Sequence, residues 1–274
     1  MRRFWRAVAL FCFWLAAQTV FAGAPALPEG ALTHWAVQEP AEIVGYLAFD
    51  PATVEDRLPP ALRFITLEEL ASGGVPWARE YVASHPAQCG WGISFLEIVR
   101  TGTFTIDGRS PDWPRDGAMA LWAARVAPVD PAAALGPGRP LLVLDFWMPD
   151  GPYAAFMRER GHCAAYGDVK LFREPEGRWC GSLRADGLRA LAQCTPAGAV
   201  SGGAASAGMQ ALFPPLTSGL RDVVRVAFAG HREQGCGEAS SWTLQGAHPL
   251  ARGVMLEPSV FEWGYDLIGG AYPW

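Results

Sequence analysis

The stretch WGISFLEIVRTGTFTI, residues 91–106, decides the fold class. It is the longest strand-like run in the chain, dense in β-branched and aromatic residues and without proline. Such residues suit a pleated backbone, where side chains alternate between two faces. Strict alternation puts Phe95, Glu97, Val99 and Thr101 on one face, and Leu96, Ile98 and Arg100 on the other. Glu97 is a carboxylate in an otherwise apolar neighbourhood.

Similar runs lie on both sides of this stretch. Residues 42–50 read as a strand, and Asp50-Pro51 then starts a short helix, with Asp50 as the cap and Pro51 in the first turn. Pro59-Pro60 ends it. Residues 67–83 read as helix in pieces, interrupted near Gly73-Gly74. Strands are expected at 118–126 and 141–147, with a loop rich in Pro and Gly between them. A short helix at 153–160 and a meander over 169–172, 178–183 and 188–192 follow. Residues 196–208, rich in Gly, Ala and Ser, read as a loop. Further strands are expected at 223–229, 239–245 and 253–257, and 259–268 as a closing strand or helix. Many short strands, turns of Pro and Gly, and few helices predict an α+β fold. It is expected to be predominantly antiparallel, with a barrel-like sheet enclosing a cavity. No G-x-G-x-x-G, P-loop or G-x-S-x-G motif is present, so dinucleotide, nucleotide and α/β-hydrolase readings have no support.

The first residues have the order of a secretory leader. Arg2, Arg3 and Arg6 precede an apolar stretch over 7–21, and small residues follow at Ala22, Gly23 and Ala24. The expected division is a signal peptide at 1–22 and a single domain at 23–274, secreted or periplasmic. No stable membrane span is expected after cleavage. Loss of the three leader arginines leaves 19 basic against 27 acidic residues, a net of −8. An acidic domain with no basic run argues against nucleic acid as a partner.

Cys89, Cys163, Cys180, Cys194 and Cys236 lie beyond the leader. In an oxidising compartment they allow two disulfides and one thiol, and at least one disulfide is expected. The spacing allows Cys180 and Cys194 to join neighbouring strands, although connectivity is not fixed by sequence. His162, His231 and His248 show no paired metal-ligand spacing with these cysteines, so no metal and no other cofactor is expected.

Lys170 is the single lysine, set against 21 arginines. Surface lysines can be replaced by arginine, whereas an amine nucleophile cannot, because a guanidinium stays protonated. Lys170 is therefore a candidate catalytic residue. The competing reading is a solvent-facing strand residue paired with Asp168 or Glu174.

Several segments resemble the acetoacetate decarboxylase superfamily. GYLAFDPATVEDRLPPAL (45–62) is similar to an early strand–Asp–helix element, and SFLEIV (94–99) to the strand that carries an inward glutamate, here Glu97. Residues 166–171, with Gly181-Ser182-Leu183 and Gly187-Leu188, resemble the lysine-bearing region and the strand pair after it. SSWTLQGAHPLARGVMLEPSVFEWGYDL (240–267) resembles the C-terminal run. The resemblance implies a barrel with a central cavity, and a lyase acting on a small β-keto or oxo acid through a Schiff base on Lys170, assisted by Glu97. The alternative is a non-catalytic barrel binding a small oxo acid or apolar ligand. Two departures stand out. Lys170 lacks the aromatic-Pro-Lys-Lys setting, and no arginine precedes Tyr46 where decarboxylases bind the substrate carboxylate. The oligomeric state is left open.

Overall fold

The run at 91–106 forms two strands instead of one. In the computed structural model, residues 33–38, 41–101, 103–106, 117–131, 139–159, 164–203, 206–213, 222–228, 231–263 and 267–273 are described. The leader segment and Cys163 lie outside them. The strands are β1 (Thr33–Gln38), β2 (Ala41–Phe49), β3 (Leu62–Phe64), β4 (Gly92–Arg100), β5 (Thr103–Ile106), β6 (Ala118–Pro128), β7 (Arg139–Met148), β8 (Ala164–Arg173) and β9 (Trp179–Ala185). They continue as β10 (Leu188–Cys194), β11 (Ser201–Gly203), β12 (Ser206–Phe213), β13 (Asp222–Phe228), β14 (His231–Gly235), β15 (Ser241–Gly246), β16 (Val254–Trp263) and β17 (Leu267–Pro273). β4 lies between β2 and β6, whereas β5 pairs with β1. The run therefore serves two parts of the sheet.

The architecture is a curled, half-barrel sheet, mostly antiparallel, with few short helices. One path of pairing runs β16–β2–β4–β6–β7, and a second runs β12–β13–β17–β1–β5. Strand β7 joins them, since its first half pairs with β12 and its second half with β8, both in parallel. From β8 the chain makes the expected meander, β8–β9–β10, which β15 extends.

The core lies between these two sheets. Ile43, Leu47, Leu96, Ile98, Trp122 and Leu142 of the large sheet meet Val169, Leu171, Leu183 and Ala190 of the meander. The fit is close at Gly181, where an added Cβ would lie 3.0 Å from Ile43 Cγ2 and 3.2 Å from Ile98 Cδ1. A side chain there would make Ile43 and Ile98 give way, and a large one would press the sheets apart.

The helices follow local signals. Thr66 and Glu69 form a reciprocal capping box that starts α1 (Leu67–Ser72). Gly74, at φ +90°, breaks the run before α2 (Pro76–Ser84). The helix at 153–160 is α3 (Pro152–Glu159). After Asp50 the chain makes two 3-10 turns, Pro51–Thr53 and Glu55–Arg57, in place of one helix. Asp50 still caps the first, accepting from the Ala52 amide at 3.0 Å.

Residues 196–208 are not loop throughout: Ser201–Gly203 pair with β14, and Ser206 begins β12. Strand pairing overrides weak local propensity there. Of the closing segment, residues 259–263 complete β16 and 267–268 open β17.

The disulfide joins Cys194 to Cys236, not to Cys180. Cys180 lies across from Gln193 in the ladder, while Cys194 lies across from Trp179. Alternation sends Cys194 into the core and leaves Cys180 a free, buried thiol on the other face.

Candidate functional site

Strands β2, β4 and β6 present a second face, opposite the core between the sheets. Alternation and register place Glu42, Val44 and Tyr46 of β2, Phe95, Glu97 and Val99 of β4, and Met119 and Leu121 of β6 on it. One end is roofed by the helices: Ala48 and Ile93 pack under Leu67, Trp77, Ala78 and Tyr81. At the other end Glu42, Val99 and Met119 are buried. Between these closed ends, Tyr46, Phe95, Glu97 and Leu121 are partly open to water. The result is a partly open patch of four side chains between two buried ends.

The patch is apolar except at Glu97. Tyr46 and Phe95 are cross-strand partners, with ring centroids 6.4 Å apart in an edge arrangement. Glu97 lies between Val44 on one side and Leu121 on the other. Burial favours the neutral acid and pushes the Glu97 carboxyl up to about 7, while a hydrogen bond with the Glu42 side chain pulls the other way. Glu42 is 5% exposed and sits one residue pair along the ladder, opposite Val99. The sequence reading singled out Glu97 and passed over Glu42. Alternation alone puts Glu42 on the Tyr46 face, but only the β2–β4 register brings it to Glu97.

Lys170 is elsewhere. In β8, Val169 and Leu171 point into the core, so Lys170 between them points out. Its side chain is 64% exposed, with Nζ 3.5 Å from Asp168 Oδ1. Its apolar neighbours in sequence occupy the opposite face of the strand, and the solvent-facing position beside Asp168 matches the competing reading. Lys170 and Glu97 are not brought together, because one faces solvent and the other belongs to the patch.

A second polar cluster lies on the core side of β7. Asp145 Oδ2 is 2.7 Å from the Arg57 guanidinium and 3.4 Å from His248 Nε2. His248 Nδ1 accepts from the Leu250 amide at 3.2 Å, which assigns the ring proton to Nε2, facing Asp145. The rings of Trp122 and Trp147 each pack 5.6 Å from the imidazole. With both ring nitrogens engaged, His248 ties the Pro249–Arg252 turn to β7 and is not free to act as a base. Among the described residues no group of three His, Cys, Asp or Glu side chains is placed to hold a metal ion. No described helix is long and apolar enough to cross a membrane.

No protein-family model and no curated protein matches the sequence. Among solved structures the chain is similar to an acetoacetate decarboxylase-like enzyme from Sphingomonas wittichii RW1. The identity is 14%, the match covers 94% of this chain and 99% of that one, and the TM-score is 0.51. It is also similar to acetoacetate decarboxylase from Legionella pneumophila subsp. pneumophila str. Philadelphia 1, at 12% identity over 94% of this chain and 91% of that one, with a TM-score of 0.50. The curled, mostly antiparallel sheet with its few short helices is accordingly the acetoacetate decarboxylase-like fold.

Proposed function

We propose that this chain binds a small organic ligand over the patch of Tyr46, Phe95, Glu97 and Leu121. The observation that carries the reading is the pattern of exposure: a partly open patch of three apolar or aromatic side chains and one carboxyl, between two buried ends. Sites for small molecules combine apolar walls with a few placed polar groups. Glu97 supplies the polar contact. With its carboxyl raised to about 7, it can both give and take a proton near neutral pH. The fold is one that decarboxylase-like enzymes use, which makes proton transfer to a bound carbonyl compound the natural chemistry to test.

A Schiff base on Lys170 is the other reading of the sequence. It needs an amine beside the bound ligand and apolar enough to lose its proton. The exposed position of Lys170 and its contact with Asp168 do not favour it, so the ligand-binding barrel is the reading we adopt. We also propose that residues 1–22 direct export, supported by their basic, apolar and small-residue order.

The test is saturation-transfer NMR with a matched pair of probes, 4-phenylbutan-2-one and 2-oxo-4-phenylbutanoate. Saturable binding of either, lost in a folded Phe95→Trp variant that crowds the patch, is the expected result. If neither probe binds, or binding ignores Phe95→Trp, the reading fails.

A further inference from the structure

Glu42 has no role in the sequence reading, yet its side chain hydrogen-bonds with that of Glu97. Two carboxylates cannot both stay ionised at hydrogen-bond distance without large repulsion, and a hydrogen bond between carboxyls requires a proton. From the 5% exposure of Glu42, its diagonal position across the β2–β4 ladder and its hydrogen bond to Glu97, we infer that Glu42 is a positioning residue. It holds a shared proton against Glu97 and so fits the patch to an uncharged carbonyl or hydroxyl compound, not an oxo-acid anion. This inference rests on the proposed ligand site and narrows its ligand class.

The charge argument is direct. The pair carries zero or one negative charge, depending on pH. A neutral carbonyl oxygen accepts a hydrogen bond from the protonated carboxyl without adding charge. A carboxylate placed beside the pair meets a like charge, in a site where water screens little. Among the described side chains, the other titratable or charged groups on this face are Tyr46 of β2 and Arg125 of β6, with Tyr81 of α2 beyond the roofed end. Arg125 is four residues along β6 from Leu121, nearer the end that the helices cover. The matched arginine before Tyr46, which would receive a carboxylate, is missing.

Two measurements test this separately from the binding reading. Infrared titration of the unliganded protein follows the carbonyl stretch of protonated carboxyls. A band persisting well above pH 5 is expected; it should disappear in Glu97→Gln and titrate at a shifted pH in Glu42→Gln, which removes the hydrogen bond acting on Glu97. A titration unmoved in Glu42→Gln, or ordinary carboxyl titration in the wild type, overturns the shared proton. The probe pair then reads ligand class: 4-phenylbutan-2-one should bind at least about tenfold more tightly than 2-oxo-4-phenylbutanoate at pH 7, a difference worth about 1.4 kcal/mol. Equal or reversed affinities overturn the neutral-ligand assignment. Absence of binding with the infrared band intact overturns the site and leaves the proton pair standing.

Discussion

Lys170 and Asp168 stand two residues apart on the solvent face of β8, with the ammonium 3.5 Å from the carboxylate, and Ser182 lies opposite the lysine in the neighbouring strand. An exposed pair of this kind contributes little, because water screens it and ordering two side chains costs entropy.

Lys170→Ala is therefore expected to change the unfolding free energy by no more than about 1 kcal/mol. Lys170→Arg should be silent in folding and in ligand binding. Borohydride treatment with either probe, followed by peptide mass mapping, should leave Lys170 unmodified. Trapping on this residue would revive the lyase.

Glu97 gives the protein a characteristic dependence on pH. Its folded value of about 7 lies above the ordinary 4.5, so the folded state holds the proton more tightly than the unfolded chain. That stabilisation is fully present below about pH 4.5 and is lost as pH rises through about 7. Wild type and Glu97→Gln, which cannot ionise, should therefore diverge over this window in chemical denaturation, with the variant gaining relative to wild type as pH rises. Parallel profiles would contradict the buried acid.

The Cys194–Cys236 bond closes a separation of 42 residues and pins the Pro196–Cys236 bridge beside β10. Chain-entropy reasoning assigns such a crosslink about 4 kcal/mol at most. Reduction, or Cys194→Ala with Cys236→Ala, should lower the melting temperature by many degrees. Thiol titration of the unfolded, unreduced protein should find Cys89 and Cys180 reactive and Cys194 and Cys236 silent.

Gly181→Val should cost about 1–3 kcal/mol, since its Cβ would press on Ile43 and Ile98 across the interface between the sheets. Gly177→Ala, in a turn at φ +89°, would be costly for a different reason, the left-handed backbone. Denaturation midpoints of both variants separate packing from conformational strain.

Export can be read directly. The mature chain recovered outside the cytoplasm is expected to begin at Gly23, or at Pro25 if cleavage follows Ala24. Intact Met1 in the membrane fraction would show an anchor instead.

The strands were legible because β-branched and aromatic residues gather in runs such as 42–50 and 91–106. The Asp50 cap was equally local, whereas the Thr66 cap was passed over. What escaped the sequence depends on register and long-range pairing. Ser201–Gly203 look like linker and become strand only because β14 lies alongside. Cys194 finds Cys236 only after β10 and its neighbours assemble. Glu97 stood out through the resemblance carried by SFLEIV, whereas Glu42 needed the β2–β4 ladder to become its partner. Lys170 had apolar neighbours in sequence, and the pleat put them on the opposite face.

Strand β7 gives one edge to β6 and divides the other between β12 and β8. The meander cannot leave the large sheet without breaking amides on this one strand. Its central N–H groups should therefore be among the last in the molecule to exchange with deuterated solvent, at a rate set by unfolding of the whole domain, while the edge strand β11 exchanges through local opening. The meander and the ligand-bearing wall would then share a single melting event, and a ligand seated over Glu97 would slow exchange in β8 and β9, which it never touches.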